Sequence, residues 1–400
     1  MNSDAPVLQK DEQKLDPALY VLSLSKLFKD LGTGMLAFLL PLYIVGLDSN
    51  IFSDTPIVVR AGIIATVFGL SNAISQPFLG RLSDSLNRRK PFVVLGMAGF
   101  TLISFIYANT NSFDQLVLLR IVQGITVGAT VPAIVAMVTH MSTSSTRGVA
   151  IGIYSTVRGF GFGTGSIIGG ILASYYGFVT AFYVCALLGL VSLILISFFV
   201  SETHDVTAQK KNISEPKQGF QFAILSITMF MMMVGIMIIF AFLPEYRTRL
   251  NASALSLSIA VSSYVFSRVL FQTPMGFISD RIGRKRIIAL GLLLNIPIVI
   301  GLGHVDNVTQ LIVLRAFQGI AMAAVETPVM ALAVELTGGS GVSSKVSTIT
   351  ASQAAGMALG PLLGGLLAGY ISFELPFYIC AAMLLFSLLL VLVALKNQYT

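Results

Sequence analysis

GFISDRIGRKR, residues 276–286, echoes an earlier run, GRLSDSLNRRKP, at residues 80–91. Each copy reads as a short basic loop that carries one aspartate and sits between two long apolar segments. Asp84 and Asp280 lie 196 positions apart in a chain of 400 residues. The sequence is thus written twice, and its best-marked element is a charged hinge between hydrophobic rods. Hinges of that kind, repeated, predict a membrane transporter.

Composition agrees. The chain is 55% hydrophobic and 11% charged, with a mean hydropathy of +0.85. A water-exposed surface needs about 25% charged residues. The apolar runs reach the roughly 20 residues that cross a hydrocarbon core, and they do not alternate as barrel strands do; Phe182 to Val200 is one example. Helices are the reading. The spans are expected at 20–46, 57–79, 91–109, 115–139, 148–172, 179–200, 220–243, 254–277, 287–304, 310–335, 346–370 and 375–395. Lys26, Lys29 and Asp30 interrupt the first, so that span is expected to begin properly at Leu31, its earlier turns near the interface. Residues 1–16 read as a disordered cytoplasmic tail. The polar stretch 201–219 reads as a cytoplasmic linker between six-helix bundles at 17–200 and 220–400.

The net charge of +7 could suggest nucleic acid, but its placement excludes that. With the N-terminus inside, the cytoplasmic side receives Lys10, Lys14, Arg81, Arg88 to Lys90, Arg147, the linker lysines, Arg281, Arg284 to Arg286, Lys345 and Lys396. The opposite loops hold only Arg247 and Arg249, with Arg60 at a border. That bias predicts a multi-pass protein with both termini in the cytoplasm, and the absence of a cleavable organelle-targeting segment makes a bacterial or archaeal cytoplasmic (inner) membrane the expected location. The basic residues then face anionic lipid heads. Cys185 and Cys380 read as small apolar residues. His140, His204 and His304 are scattered without metal-ligand spacing, and no nucleophile–base constellation is visible, so an enzyme is not expected.

The repeat extends beyond the hinges. Leu119-Arg120-x-x-Gln123-Gly124 returns as Leu314-Arg315-x-x-Gln318-Gly319, and Gly165-x-x-x-Gly169-Gly170 returns as Gly360-Pro361-x-x-Gly364-Gly365, both at a spacing of 195. Six spans per half make the halves enter from the same side, with a substrate site between them near the midplane.

These residues resemble the major facilitator superfamily. Gly276-x-x-x-Asp280-Arg281-x-Gly283-Arg284-Lys285 is a full match to its cytoplasmic loop motif. The first copy keeps Gly80, Asp84, Arg88 and Arg89, with Ser85 and Asn87 departing from the pattern. Arg120-x-x-Gln123-Gly124 is similar to the family's fourth-helix motif. Gly161-x-x-x-Gly165-Ser166-x-x-Gly169-Gly170 is similar to the fifth-helix signature of the twelve-helix drug:proton antiporters, with Ser166 in place of its proline. The resemblance implies an all-α fold of twelve transmembrane helices in two six-helix repeats, driven by a proton gradient without other cofactors. It also implies that the two hinges gate access through ion pairs that break when the cytoplasmic side opens.

Ionisable groups deep inside spans are the candidate site. Arg158 lies about 16 Å and Arg268 about 18 Å into their helices at 1.5 Å per residue. Neither repeats, since Gln353 and Asn72 stand at the equivalent places. An arginine at that depth needs protein, water or a partner. Both are expected to face a cavity and hold an anionic part of the substrate, or to pair with an internal acid. Glu326 is the best acidic candidate, as proton carrier or arginine partner. Tyr154 and Gln272 would add hydrogen bonds. Asp30 is the first-half proton candidate, with an interfacial pair to Lys26 as the competing reading. Arg120 joins the proton-coupling set through the family motif. Gly161, Gly165, Gly169, Gly170, Gly356, Gly360 and Gly364 are expected to be packing faces, with a bend at Pro361.

The expected function is proton-coupled export of an amphipathic small molecule or lipid by a monomer working through alternating access. The competing readings are proton-coupled import (symport) or exchange of an organic anion, and a non-transporting receptor or scaffold that has kept the transporter fold.

Overall fold

The computed structural model describes residues 17–142, 146–202, 219–336 and 342–395. The expected tail at 1–16 lies outside them, as does the linker apart from Ser201, Glu202 and Gly219. Within them the chain is helical: α1 (Pro17–Tyr43), α2 (Ile57–Ser85), α3 (Lys90–Tyr107), α4 (Phe113–His140), α5 (Arg147–Tyr175), α6 (Gly177–Phe199), α7 (Gly219–Met237), α8 (Ile239–Arg249), α9 (Ala254–Ile282), α10 (Arg284–Leu302), α11 (Val308–Leu336), α12 (Val342–Tyr370) and α13 (Leu375–Ala394). Helices α7 and α8 form one span, broken at Ile238. Counted so, eleven spans among the described residues are long and apolar enough to cross a membrane. Helix α5, 29 residues long and glycine-rich, completes the set. A helix satisfies its backbone polar groups within the segment, which is what a hydrocarbon solvent demands.

The chain folds as an all-α membrane protein of two helical bundles. In the first, α1 packs on α5 and α6, α2 on α4, and α3 on α4 and α6; in the second, α7 packs on α12 and α13, α9 on α11, and α10 on α11 and α13. Helix α5 lies so close to α1 that a Cβ on Gly165 would run into the Leu31 carbonyl, and one on Gly34 into the Phe162 carbonyl. Gly161 and Gly169 also face α1, whereas Gly170 faces Ser258 of α9. In the second bundle Gly356, Gly360 and Gly364 face Phe230, Val234 and Ile238.

Three expectations about element ends need correction. The hinges are mostly helix: α2 runs to Ser85 and α9 to Ile282, so Gly80, Asp84, Gly276, Asp280 and Arg281 sit on helical turns. Both helices have 29 residues, more than the roughly 20 that span hydrocarbon. The first span does not start at Leu31. Helix α1 begins at Pro17, and Lys26, Lys29 and Asp30 are buried in protein at 5%, 4% and 3% exposure. Finally, the seventh span extends to Arg249, so Arg247 and Arg249 lie in the last turn of α8 rather than in a loop.

The turn at each hinge explains one departure between the copies. Gly283 adopts φ +106°, and Asn87, at the equivalent position, adopts φ +48°. The first conformation favours glycine; the second is the left-handed region that asparagine tolerates best among side-chain-bearing residues.

The bundles meet along two seams that the repeat relates to each other, α5 against α9 and α2 against α12. We call the end carrying the hinges the basic end. At the opposite end the seams are closed. Leu255 N–H donates to Ser174 Oγ at 3.1 Å, and Ser262 Oγ donates to the Gly163 carbonyl at 2.7 Å. Thr66 Oγ1 donates to the Ala358 carbonyl at 2.6 Å. Gly62 faces the Pro361 carbonyl, and Gly365 faces Val58. Toward the basic end the bundles diverge: on α5, Ser166 and Gly170 are buried while Gly152, Ser155 and Arg158 are exposed.

Candidate functional site

The divergence leaves a space between the bundles that opens at the basic end. On the second-bundle wall an open recess of about 490 Å³ is lined by Gln272, Thr273, Gly276, Phe277, Asp280, Glu326, Thr327 and Met330. Glu326 is 8% exposed there. Its Oε2 accepts from Arg268 Nε at 2.7 Å, and its Oε1 accepts from Arg268 Nη2 at 2.8 Å. Gln353 Nε2 donates to Oε1 at 2.9 Å, and Gln272 Nε2 lies 3.5 Å from Oε2. One carboxylate on α11 therefore ties α9 and α12 together. A two-point guanidinium–carboxylate bond fixes geometry as well as charge.

On the first-bundle side, Asp30 lies 2.6 Å from the Lys26 ammonium and 3.4 Å from that of Lys29. The i,i+4 pair with Lys26 exists, but it is buried rather than interfacial. Lys26 stands 5.8 Å from the Tyr154 ring, and Lys29 stands 5.8 Å from the Phe100 ring. Arg158 on α5 is in electrostatic reach of Lys26, Lys29 and Asp30. Its side chain is exposed, and it has no ion-pair partner among the described residues. Asn72, partly buried on α2, accepts from Gln76 at 3.1 Å.

Arg120 and Arg315 occupy matching buried niches. Each stacks 4.5 Å from a ring on the neighbouring helix, Phe68 for Arg120 and Tyr264 for Arg315. Each donates to the glutamine three residues on: Arg120 to Gln123 at 2.8 Å, and Arg315 to Gln318. Tyr107 also donates to Gln123, at 3.0 Å. These contacts brace α2 on α4 and α9 on α11.

The hinge charges pair within their own bundles. Asp84 pairs with Arg89, and Asp280 with Arg284. Arg284 also reaches Glu335 of α11 at 2.9 Å and Ser279 Oγ at 2.7 Å. Lys90 and Lys285 donate to the carbonyls of Ser197 and Leu395 at 2.8 and 2.7 Å. Gly80 and Gly276 face Pro132 and Thr327. Arg88 and Arg281 are exposed.

The sequence profile of the Major Facilitator Superfamily matches residues 22–224 and again 225–400. The chain belongs to that superfamily. Among curated relatives, this superfamily member is 28% identical over 316 residues to a multi-drug resistance efflux pump PmrA homolog of Lactococcus lactis subsp. lactis, covering 76% of each chain. It is 27% identical over 324 residues to the multidrug resistance protein MdtG of Proteus mirabilis, covering 78% of this chain and 80% of that one. Among solved structures, a bacterial homolog of the human lysosomal transporter Spinster, in an inward-facing and unoccupied conformation, superposes with a TM-score of 0.76 at 16% identity, covering 94% of this chain and 96% of that one. The human organic anion transporter MFSD10 (TETRAN) superposes with a TM-score of 0.68 at 17% identity, covering 94% and 100%. Membership in the superfamily identifies a small-molecule secondary transporter.

Reading the sequence did not show that Lys26 and Lys29 are buried around Asp30, and it missed the seam residues Thr66, Ser174 and Ser262. Lys26 and Asp30 share one helical face and Lys29 is their neighbour. Three charges inside one apolar run were the available signal for a buried cluster.

Proposed function

We propose that this transporter exports amphipathic small molecules in exchange for protons, with the basic end, both termini and the linker in the cytoplasm. The observation that carries the reading is the Glu326 carboxylate on the wall of the inter-bundle space. Its charge holds Arg268 of α9 and Gln353 of α12, and those two helices form one side of each seam. Protonation would cancel that attraction and loosen the tie. Binding of substrate and proton would thereby shift the balance between states open at opposite ends. The lysine and arginine bias supports the cytoplasmic orientation. The relatives named as drug efflux proteins support export.

Purified protein in liposomes, loaded with an amphipathic fluorophore and given an imposed pH difference, tests this reading. Efflux should accelerate when protons run against it through wild-type protein, and Glu326→Gln should abolish the acceleration. Acceleration that persists in Glu326→Gln removes the carboxylate from the coupling.

A further inference from the structure

The two bundles carry unequal charge toward the space between them. In the second, Arg268 and Glu326 match one to one at 2.7 Å. In the first, Lys26 and Lys29 share a single carboxylate, Asp30, at 2.6 and 3.4 Å, and Arg158 has no ion-pair partner among the described residues. Lys26 holds Asp30 at 2.6 Å, and burial of both lysines keeps water from screening them. Unmatched charge in so little solvent is costly until a counter-charge arrives.

Arg158 is the member of this group that a solute can reach. On α5, Gly161 and Gly165 face α1, and Gly159 and Gly163 face Val269 and Phe266 of α9. Phe162, one turn from Arg158, touches Phe240 of the second bundle edge-on, with ring centroids 6.5 Å apart. Arg158 therefore lies on the strip of α5 that looks toward the second bundle, beside the Gly159–Val269 contact and at the near edge of the space between the bundles. Tyr154, 9% exposed, and the exposed Ser155 flank it.

Resting on the transport reading above, the geometry points to an anion subsite on α1 and α5, and so to amphipathic organic anions as the substrate class. The Arg158 guanidinium takes the carboxylate, sulfonate or phosphate of the solute. Lys26 and Lys29 are positioning residues behind it: they sequester Asp30, so that Arg158 is left for the solute, and they raise the local positive potential. The apolar body of the solute extends toward Phe162 and Phe240, whose rings stand 6.5 Å apart between the bundles.

The test uses three probes that share one dansyl-alkyl body and end in a sulfonate, a neutral amide or a trimethylammonium group. Their flux is measured through the full-length protein in phosphatidylcholine vesicles. The sulfonate should move at least tenfold faster than the trimethylammonium probe, in keeping with the strength of a charge-assisted contact. Arg158→Gln should bring the sulfonate down to the rate of the amide, Arg158→Lys should retain much of it, and Arg158→Glu should reverse the preference toward the cation. The reversal is a gain of flux that misfolding cannot imitate. Wild-type vesicles that move the cation or amide as fast as the sulfonate overturn the anion assignment while leaving transport intact. Vesicles that move none of the three contradict the transport reading together with the assignment. Sulfonate flux abolished when phosphatidylglycerol replaces phosphatidylcholine gives the cations to a lipid headgroup, which also overturns the assignment.

Discussion

Arg268 and Glu326 bond at two points, Nε to Oε2 at 2.7 Å and Nη2 to Oε1 at 2.8 Å, and the pair joins α9 to α11 at the wall of the inter-bundle space. Gln353 adds α12 to the same carboxylate at 2.9 Å. The two residues should behave as one unit. A double-mutant cycle of Arg268→Gln and Glu326→Gln, read by thermal unfolding in detergent, should show coupling of roughly 1–3 kcal/mol. Additive effects would mean that the contact is not formed in the folded protein.

Asp30 is predicted to be needed more by its lysines than they by it. Asp30→Asn strands two ammonium groups at 5% and 4% exposure and should destabilise by about 3–5 kcal/mol. Adding Lys26→Met to Asp30→Asn should recover part of that loss. A double variant less stable than Asp30→Asn alone would contradict the account.

The hinge turns should respond unequally to substitution. Gly283 sits at φ +106°, ψ +136°, where a Cβ is strained, so Gly283→Ala should lower stability by about 1–3 kcal/mol. Asn87 at φ +48° occupies a region open to asparagine, and Asn87→Gly should change stability by less than about 1 kcal/mol. Melting temperatures of the two variants make the comparison directly, and equal losses would refute it.

Arg120 is stacked on Phe68 at 4.5 Å while donating to Gln123 at 2.8 Å. A lysine offers neither the flat face nor the fork. Arg120→Lys should therefore destabilise by about 1–2 kcal/mol, while the response of transport to a pH difference stays intact. Loss of that response in a stably folded variant would contradict this and place Arg120 in the coupling machinery.

The fold was legible because its information is repeated and coarse. Apolar length, the paired aspartates and the doubled glycine runs all survive an error of several residues at each helix end. The burial of Lys26 and Lys29 was not legible, because charges near the start of a hydrophobic run equally suit an interface; only the packing of α1 on α5 and α6 separates the two. Arg268 and Glu326 were both singled out by their depth, but 58 residues of sequence separate them, and no local pattern shows that they meet. The seams were hidden for a related reason. Thr66 and Ala358 touch across 292 positions, through a hydroxyl and a backbone carbonyl that carry no distinctive sequence signal.

The central claim is that the two bundles rock about the space they share. It is tested by spin-label distances measured in lipid nanodiscs between Leu86 and Ile282 at the basic end, and between Ile51 and Asn251 at the opposite end. Acidification together with substrate should lengthen the second distance and shorten the first in the same molecules. Two distances that change in the same direction, or that stay fixed while transport proceeds, would contradict it.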